Sequence, residues 1–396
     1  MKNVLPRFER PIKSKDSPRM DVSYWSKAMD AYDAKNYRLA LIETINYINS
    51  KVLEGKSIDD DIQIVQGQGS AEIQMSITKD TFTLKAPFVK ITEKTNKVAL
   101  YRRVSEINFS PLTLTQIRLK DNELWFEYET PISLCQPYKV YDVLREISVY
   151  SDHYDDEFIE KYKADFYHEL KVTALSESEK EKVWEQISDI LEDYRNYSAY
   201  FKEKRWNDFQ WDIIVLSILK IVNMPCVHGT LRTKLEEYVN NLFNGQIDFN
   251  HRIDKGVNFM QKLLDKPKEE FFQDIYHAET LISLKWRSST EIVQNHVKNM
   301  EKYVNQYIKE NNNMMLCYYL QYSFLKMIYD YNLEEHHQDA IYHVLEEVSG
   351  KELHEARPIL LTTYHDFLNG AAGNTIVGSP ASSSKNSKGF FAKLFS

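Results

Sequence analysis

The spacing of apolar residues changes from period two to helical and back between residues 61 and 156, and this switch restricts the architecture more than any other feature. Ala71, Ile73, Met75 and Ile77 fall at every second position, which puts one apolar face on an extended strand. A run through Ile62, Ile64 and Gly67 precedes it. Phe82, Leu84 and Ala86 follow, alternating with Thr81, Thr83 and Lys85 after a tight turn at Lys79 and Asp80, so the second and third runs are expected to pair as a hairpin. Pro87 has no amide to donate and is expected to end that strand near an edge. From Asn96 the spacing is helical: Val98, Leu100, Tyr101, Val104 and Ile107 share a side, with Arg102, Arg103 and Glu106 mostly opposite. Two more strands follow, one carrying Leu112, Leu114, Ile117 and Leu119, the other spanning 124–129, joined by turn-forming residues 120–123. Pro131 and Pro137 then introduce a long helix with Val140, Val143, Leu144, Ile147 and Val149, ending in an acidic stretch at 152–157.

A helical hairpin precedes these elements. Trp25, Met29, Tyr32, Tyr37, Ala40 and Leu41 approach the tetratricopeptide pattern, but one imperfect copy cannot bury itself, so the hairpin is expected to pack on the sheet. The predicted order is α-βββ-α-ββ-α around an antiparallel sheet, an α+β domain over residues 21–170. With 396 residues the chain is too long for that domain alone, and only 11 glycines argue against a loop-rich remainder. Residues 176–368 are read as an all-α helical domain. Ser176 with Glu179 forms a capping box ahead of Val183, Ile187, Ile190, Leu191 and Tyr194. Further helices are predicted at 208–223, 231–243, 257–265, 268–286, 289–310, 313–331 and 335–348, with no fixed repeat period.

Net charge is −8, yet residues 1–20 and 371–396 are cationic, leaving an acidic body that disfavours nucleic acid as a partner. The 3 cysteines, Cys135, Cys226 and Cys317, are widely spaced among apolar residues and read as buried thiols in a reducing compartment. No apolar run reaches the roughly 20 residues that span a bilayer, and the first residues lack a signal-peptide centre, so a cytoplasmic location is expected. Residues 1–20 are read as a flexible basic N-terminus.

The run Tyr101-Arg102-Arg103-Val104-Ser105-Glu106-Ile107-Asn108 before the last two strands, and Tyr150 to Tyr154 late in the final helix, resemble the YbjN-like domain family over about residues 21–165. That family shares its fold with class I type III secretion chaperones. The resemblance implies a non-enzymatic module that binds protein segments, often as a dimer. On this expectation the partner-binding residues are Ile73, Met75, Phe82, Leu84, Phe126 and Tyr128, with Leu124 beside them, although core packing alone would also account for each.

Motifs for chemistry are scarce. Gln66-Gly67-Gln68-Gly69 lacks the third glycine and the Lys-Ser/Thr of a phosphate loop, and neither a paired-cysteine site, His-Glu-x-x-His nor Gly-x-Ser-x-Gly occurs. Glu335, Asp339 and His343 recur every fourth residue, with His336 and His337 beside them, but a solvated polar face explains the spacing better than a metal site. No catalytic residue, metal or cofactor is therefore expected. Trp206 and Trp211 near Lys202, Lys204 and Arg205, and the tyrosines around Tyr318, are read as helix packing rather than base-stacking or cofactor surfaces. Residues 371–388, rich in Gly, Ser, Ala and Asn, are expected to be disordered, tethering a tip in which Phe390, Phe391, Leu394 and Phe395 form one side of a docking helix for a protein groove, with weak membrane contact as the lesser option. The favoured function is a protein-binding adaptor or chaperone-like protein; the alternative is an enzyme or metal-dependent regulator with its site among the C-terminal helices.

Overall fold

A computed structural model describes residues 3–13, 18, 20–69, 71–167 and 172–373, with the backbone alone at 152, 153 and 156. The hairpin is α1 (Ser23–Asp33) and α2 (Tyr37–Asn49). Lys35 takes a left-handed turn between them, and the Asn36 side chain caps α2 by accepting from the Leu39 amide at 3.3 Å. The sheet follows as β1 (Ile62–Gln68), β2 (Ala71–Ile77), β3 (Thr81–Lys90), then α3 (Lys97–Phe109), β4 (Gln116–Lys120) and β5 (Glu123–Pro131). Next come α4 (Pro137–His153), α5 (Asp155–Tyr162) and the short β6 (Asp165–Phe166). The spatial order is β1-β2-β3-β5-β4, with β6 added to the end of β3, and all pairings are antiparallel.

One expectation is corrected here. Pro87 does not end its strand: β3 continues to Lys90 along β5 through a register irregularity between Pro87 and Val89, although its pairing with β2 stops at Lys85, so the proline lies beyond that ladder. The acidic stretch at 152–157 is a helix end, as read from the sequence, where α4 gives way to α5.

One face of the sheet is covered. α4 crosses β2, β3 and β5, α2 packs on α4, and their apolar residues join the inward side chains of the strands in a single cluster. The second cluster belongs to the helices. These are α6 (Glu177–Lys204), α7 (Asn207–Val222), α8 (Gly229–Phe243), α9 (Phe249–Leu264), the short α10 (Lys268–Phe272), α11 (Thr290–Lys309), α12 (Asn313–Asp330), α13 (Glu335–Glu347) and α14 (Leu353–Leu368). The strongly apolar α7 is central, touching α6, α8, α9 and α12. Small strands stitch the connections: β7 (Val172–Ala174) pairs with β8 (Tyr276–Ala278), and β9 (Trp286–Arg287) with β10 (Tyr331–Asn332). Among the described residues no helix is long and apolar enough to cross a membrane.

The helix expected over 268–286 stops at Phe272. The cause is Asp274, whose carboxylate accepts from the Thr230 and Leu231 amides at 3.1 and 3.2 Å and so caps the start of α8 from outside that helix. Gly229 makes room for it, since a Cβ there would lie 2.3 Å from Asp274 Oδ1 and the residue has φ +56°. Past β8 the chain runs extended to the other half of the molecule. Leu281 and Ile282 are buried in the sheet-domain cluster, and both their amides donate to Gln68 Oε1 at 3.0 Å. Arg287 then lies among the rings of Trp25, Tyr138 and Tyr141, 4.8, 4.6 and 5.1 Å from their centroids. This crossing segment fastens the sheet to the helices.

His228 stacks on Tyr276 in the same region, with centroids 4.7 Å apart and Nε2 buried without a partner. Burial, then the nearby Arg232, pushes its pKa down from 6.5 to about 4. A histidine that stays neutral when folded and charges when unfolded contributes stability that is complete above pH 6.5 and is lost as pH falls toward 4. Urea titrations are expected to show falling stability across that window, and His228→Gln to make the fall shallower. An unchanged pH slope in the variant would refute the assignment.

Residues 3–13 are not the flexible arm read from the sequence. Val4 bridges to Glu352, the Leu5 amide donates to Lys351 O at 2.9 Å, and Leu5 is buried in the helical cluster with Phe8 and Ile12 against it. The basic charges meet acids. Arg7 contacts Asp189, Glu192 and Asp193, while Arg10 bonds Asp339 at 2.8 Å.

Candidate functional site at the open sheet face

The residues predicted to bind a partner are mostly inside. Ile73, Met75, Phe82, Leu84, Leu124 and Phe126 all point into the cluster under α4, and Phe126 is 0% exposed. Tyr128 is half-buried, its ring 6.4 Å from Phe82 and roofed by Lys139. They hold the sheet together and are not a contact surface. Phe390, Phe391, Leu394 and Phe395 lie outside the described residues.

Period two places the opposite set of side chains on the other face, where among the described residues no helix packs on the strands. Gln63 and Val65 on β1, Glu72, Gln74 and Ser76 on β2, Thr83 and Lys85 on β3, and Trp125 and Glu127 on β5 make up this face. It is polar and partly self-paired. Gln63 Nε2 donates to Ser76 Oγ at 2.6 Å, Lys120 pairs with Glu127, and Trp125 is flanked by Tyr167 with centroids 5.1 Å apart.

The two edges of the sheet differ. On β4 the Asn108 side chain acts as a surrogate strand: its amide nitrogen donates to Ile117 O at 2.9 Å and its oxygen accepts from the Ile117 amide at 2.7 Å. On β1 the crossing segment covers only the far end. The Gly69 amide donates to Glu279 O at 3.2 Å, the Gly67 amide to the Glu279 carboxylate at 3.0 Å, and Gln68 bridges antiparallel to Thr280. Gly67 fits there because a Cβ would fall 2.7 Å from Glu279. Since backbone groups alternate in direction along a strand, the outward amides at 67 and 69 place those of Gln63 and Val65 on the same outer edge. Among the described residues, neither pair of backbone groups meets a partner on that side. Val65 is 61% exposed.

The other features singled out in the sequence have structural roles. Asp339 is held by Arg10 and Glu335 by Lys13 at 2.8 Å, while the exposed His343 sits 4.0 Å from Glu347, so the i, i+4 row serves as the seat of the N-terminal segment. Trp211 donates to Leu242 O at 3.3 Å and packs on Phe243 and Tyr322, and Trp206 packs on Phe209. Tyr318 is fully buried between Phe201 and Phe209. The cysteines are free and buried, their thiols pushed by burial up to about 12, 11 and 12 in chain order. Thiolate chemistry is suppressed at all of them.

Sequence reasoning passed over Gln63 and Val65 because the polar half of an alternating strand reads as solvent face. The available signal was β1 being the outermost of three meandering strands, with an apolar valine on its polar side. No family model and no curated protein matches this chain.

Proposed function

We infer that the protein is a non-enzymatic binding module, of the kind the YbjN-like resemblance implies, which takes up an extended protein segment along the outer edge of β1 and over the neighbouring open face. The observation that carries this reading is the unpartnered outward backbone of Gln63 and Val65 beside a stretch where the chain already adds its own segment at Gln68 and Thr280. An incoming strand would continue that ladder, gaining backbone hydrogen bonds from the edge and side-chain selectivity from Val65, Gln74 and Ser76. The alternating charges of Glu72, Lys85 and Glu127 favour a segment of mixed charge over a polyanion, in keeping with the acidic body of the chain. A second copy of the chain is one such partner, and edge-to-edge pairing would give a dimer.

The test exploits the direction of the backbone. Residue 65 points its amide away from β2, so Val65→Pro removes an outward donor and leaves the β1–β2 ladder intact. A photocrosslinking amino acid placed at Gln63 in full-length protein, in its native cell, is expected to give adducts that fall at least tenfold in the Val65→Pro background, with melting temperature within about 3 °C of the parent. Adducts of unchanged yield in the proline variant would rule out the edge. Mass spectrometry of the adduct separates a self-pair from a foreign protein.

A further inference from the structure

The start of α13 holds a group of side chains that the i, i+4 pattern of Glu335, Asp339 and His343 does not include. Glu334 is the N-cap residue of α13, but its side chain makes no capping hydrogen bond. Its carboxylate instead faces His337, with Oε2 3.9 Å from Nδ1. That separation is too long for a hydrogen bond. His337 is 2% exposed, and its Nδ1 has no hydrogen-bond partner. A buried ring nitrogen without a partner is unfavourable, because it has lost its water and gained nothing in exchange. The His336 ring adjoins, with centroids 3.9 Å apart, and one ligand atom from each of Glu334, His336 and His337 lies within 4.8 Å of the others.

The surroundings hold this group in place. His337 packs on Phe367 of α14, centroids 5.8 Å apart, which limits its ring rotation. The chain after α14 returns over His336: Gly373 lies so close that a Cβ would sit 2.7 Å from His336 O and 2.8 Å from its ring, and Ala372 is buried. The pair is therefore roofed by backbone on one side and floored by an aromatic ring on the other.

The geometry points to a divalent transition-metal site, formed by Glu334, His336 and His337, of the class that takes Zn²⁺. Two imidazoles and one carboxylate are a common donor set for such ions, with bonds of about 2.0–2.2 Å. Two ligands of a four-coordinate ion at those lengths lie about 3.4 Å apart, so the 3.9 Å between Glu334 Oε2 and His337 Nδ1 has to close by about half an ångström, which the partly exposed Glu334 side chain can supply. His336 and Glu334 are partly exposed and can swing inward, while His337 is the fixed member. The fourth position would be left to water. Alignment of the α13 dipole opposes a cation at this end, and the Glu334 charge offsets it.

The proposal does not depend on the sheet-edge reading, and its test does not involve a partner. Full-length protein freed of metal is titrated with ZnCl₂ against a chromophoric chelator, and in parallel with CoCl₂ for visible absorption. The expected result is one ion per chain, a melting temperature raised by Zn²⁺, and a cobalt spectrum of low coordination number with nitrogen ligands. Glu334→Gln and His336→Gln, both at partly exposed positions and so tolerated by the fold, should each weaken binding about tenfold or more, whereas His343→Gln should bind like the parent. Absence of saturable uptake, or uptake unchanged in both Glu334→Gln and His336→Gln, would overturn the site and leave a water molecule as the bridge between Glu334 and His337.

Discussion

Phe126→Ala is expected to lower the unfolding free energy by about 3–5 kcal/mol, the range for emptying a fully buried phenylalanine position. Phe126 lies opposite Ala86 on β3 and Ile117 on β4, and its ring meets Phe88 edge-on with centroids 4.9 Å apart; Phe88 in turn meets Phe158 of α5 at the same distance. Removing the ring therefore opens a cavity at the junction of strands and helix and also breaks an aromatic pair worth about 0.5–1.5 kcal/mol. A loss of that size is a large fraction of a typical domain's total stability. The contrast comes from the other face. Val65→Ala, on the open side, should stay within about 0.5 kcal/mol. Urea titration of both variants decides which face is core: comparable losses would mean that the open face is covered in solution, and a neutral Phe126→Ala would reverse the orientation of the sheet.

That contrast also marks where the sequence stops being informative. Alternation locates β2 at Ala71–Ile77 and predicts the β2–β3 hairpin, because a strand covered on one face leaves a period-two record in its own residues. The Ser176–Glu179 box marks the first turn of α6 for the same reason, since both partners are local. The capping of α8 leaves no such record: Asp274 sits beyond α8 and α9 in the chain, so the apolar spacing of 268–286 reads as one helix although Leu281 and Ile282 are destined for the other core. α14 is hidden by Pro358, which lies inside the helix and would ordinarily signal its end. For the site, alternation separates the two faces of the strands but assigns the apolar face to a partner as readily as to α4. Only the placement of α4 decides. The row Glu335, Asp339, His343 is legible as a helical face, while its occupants, Arg10 and Lys13, are more than 300 positions away.

Deleting residues 1–13 is expected to cost more than any single ion pair it contains, because the segment is held mainly by its apolar anchors. Leu5 is 1% exposed within the helical cluster, so Leu5→Ala alone should lose about 2–4 kcal/mol. Arg7 is nearly half exposed despite its three acidic neighbours, and Arg7→Ala should lose about 1 kcal/mol or less, an amount that shrinks further in 0.5–1 M salt. The polar groups under the segment add a third contribution. Lys220 is fully buried, pushed down by that burial to about 8, and donates from Nζ to Arg7 O at 2.6 Å; Gln186 donates to Arg10 O at 2.9 Å, and the Tyr197 hydroxyl to Val4 O at 2.9 Å. Lys220 and Gln186, with Arg7, Phe8 and Leu325, line a cavity of about 220 Å³ between the segment and α6, α7 and α12. Without the segment that cavity opens to water, which rehydrates Lys220 and returns part of the lost hydrogen-bond energy, whereas nothing replaces the burial of Leu5, Phe8 and Ile12. The truncated chain should therefore melt well below the parent, with a deficit that does not close at high salt. A deficit that vanishes in 1 M salt would transfer the main role to the arginines, and a truncation without effect would show that residues 3–13 do not pack on the helices in solution.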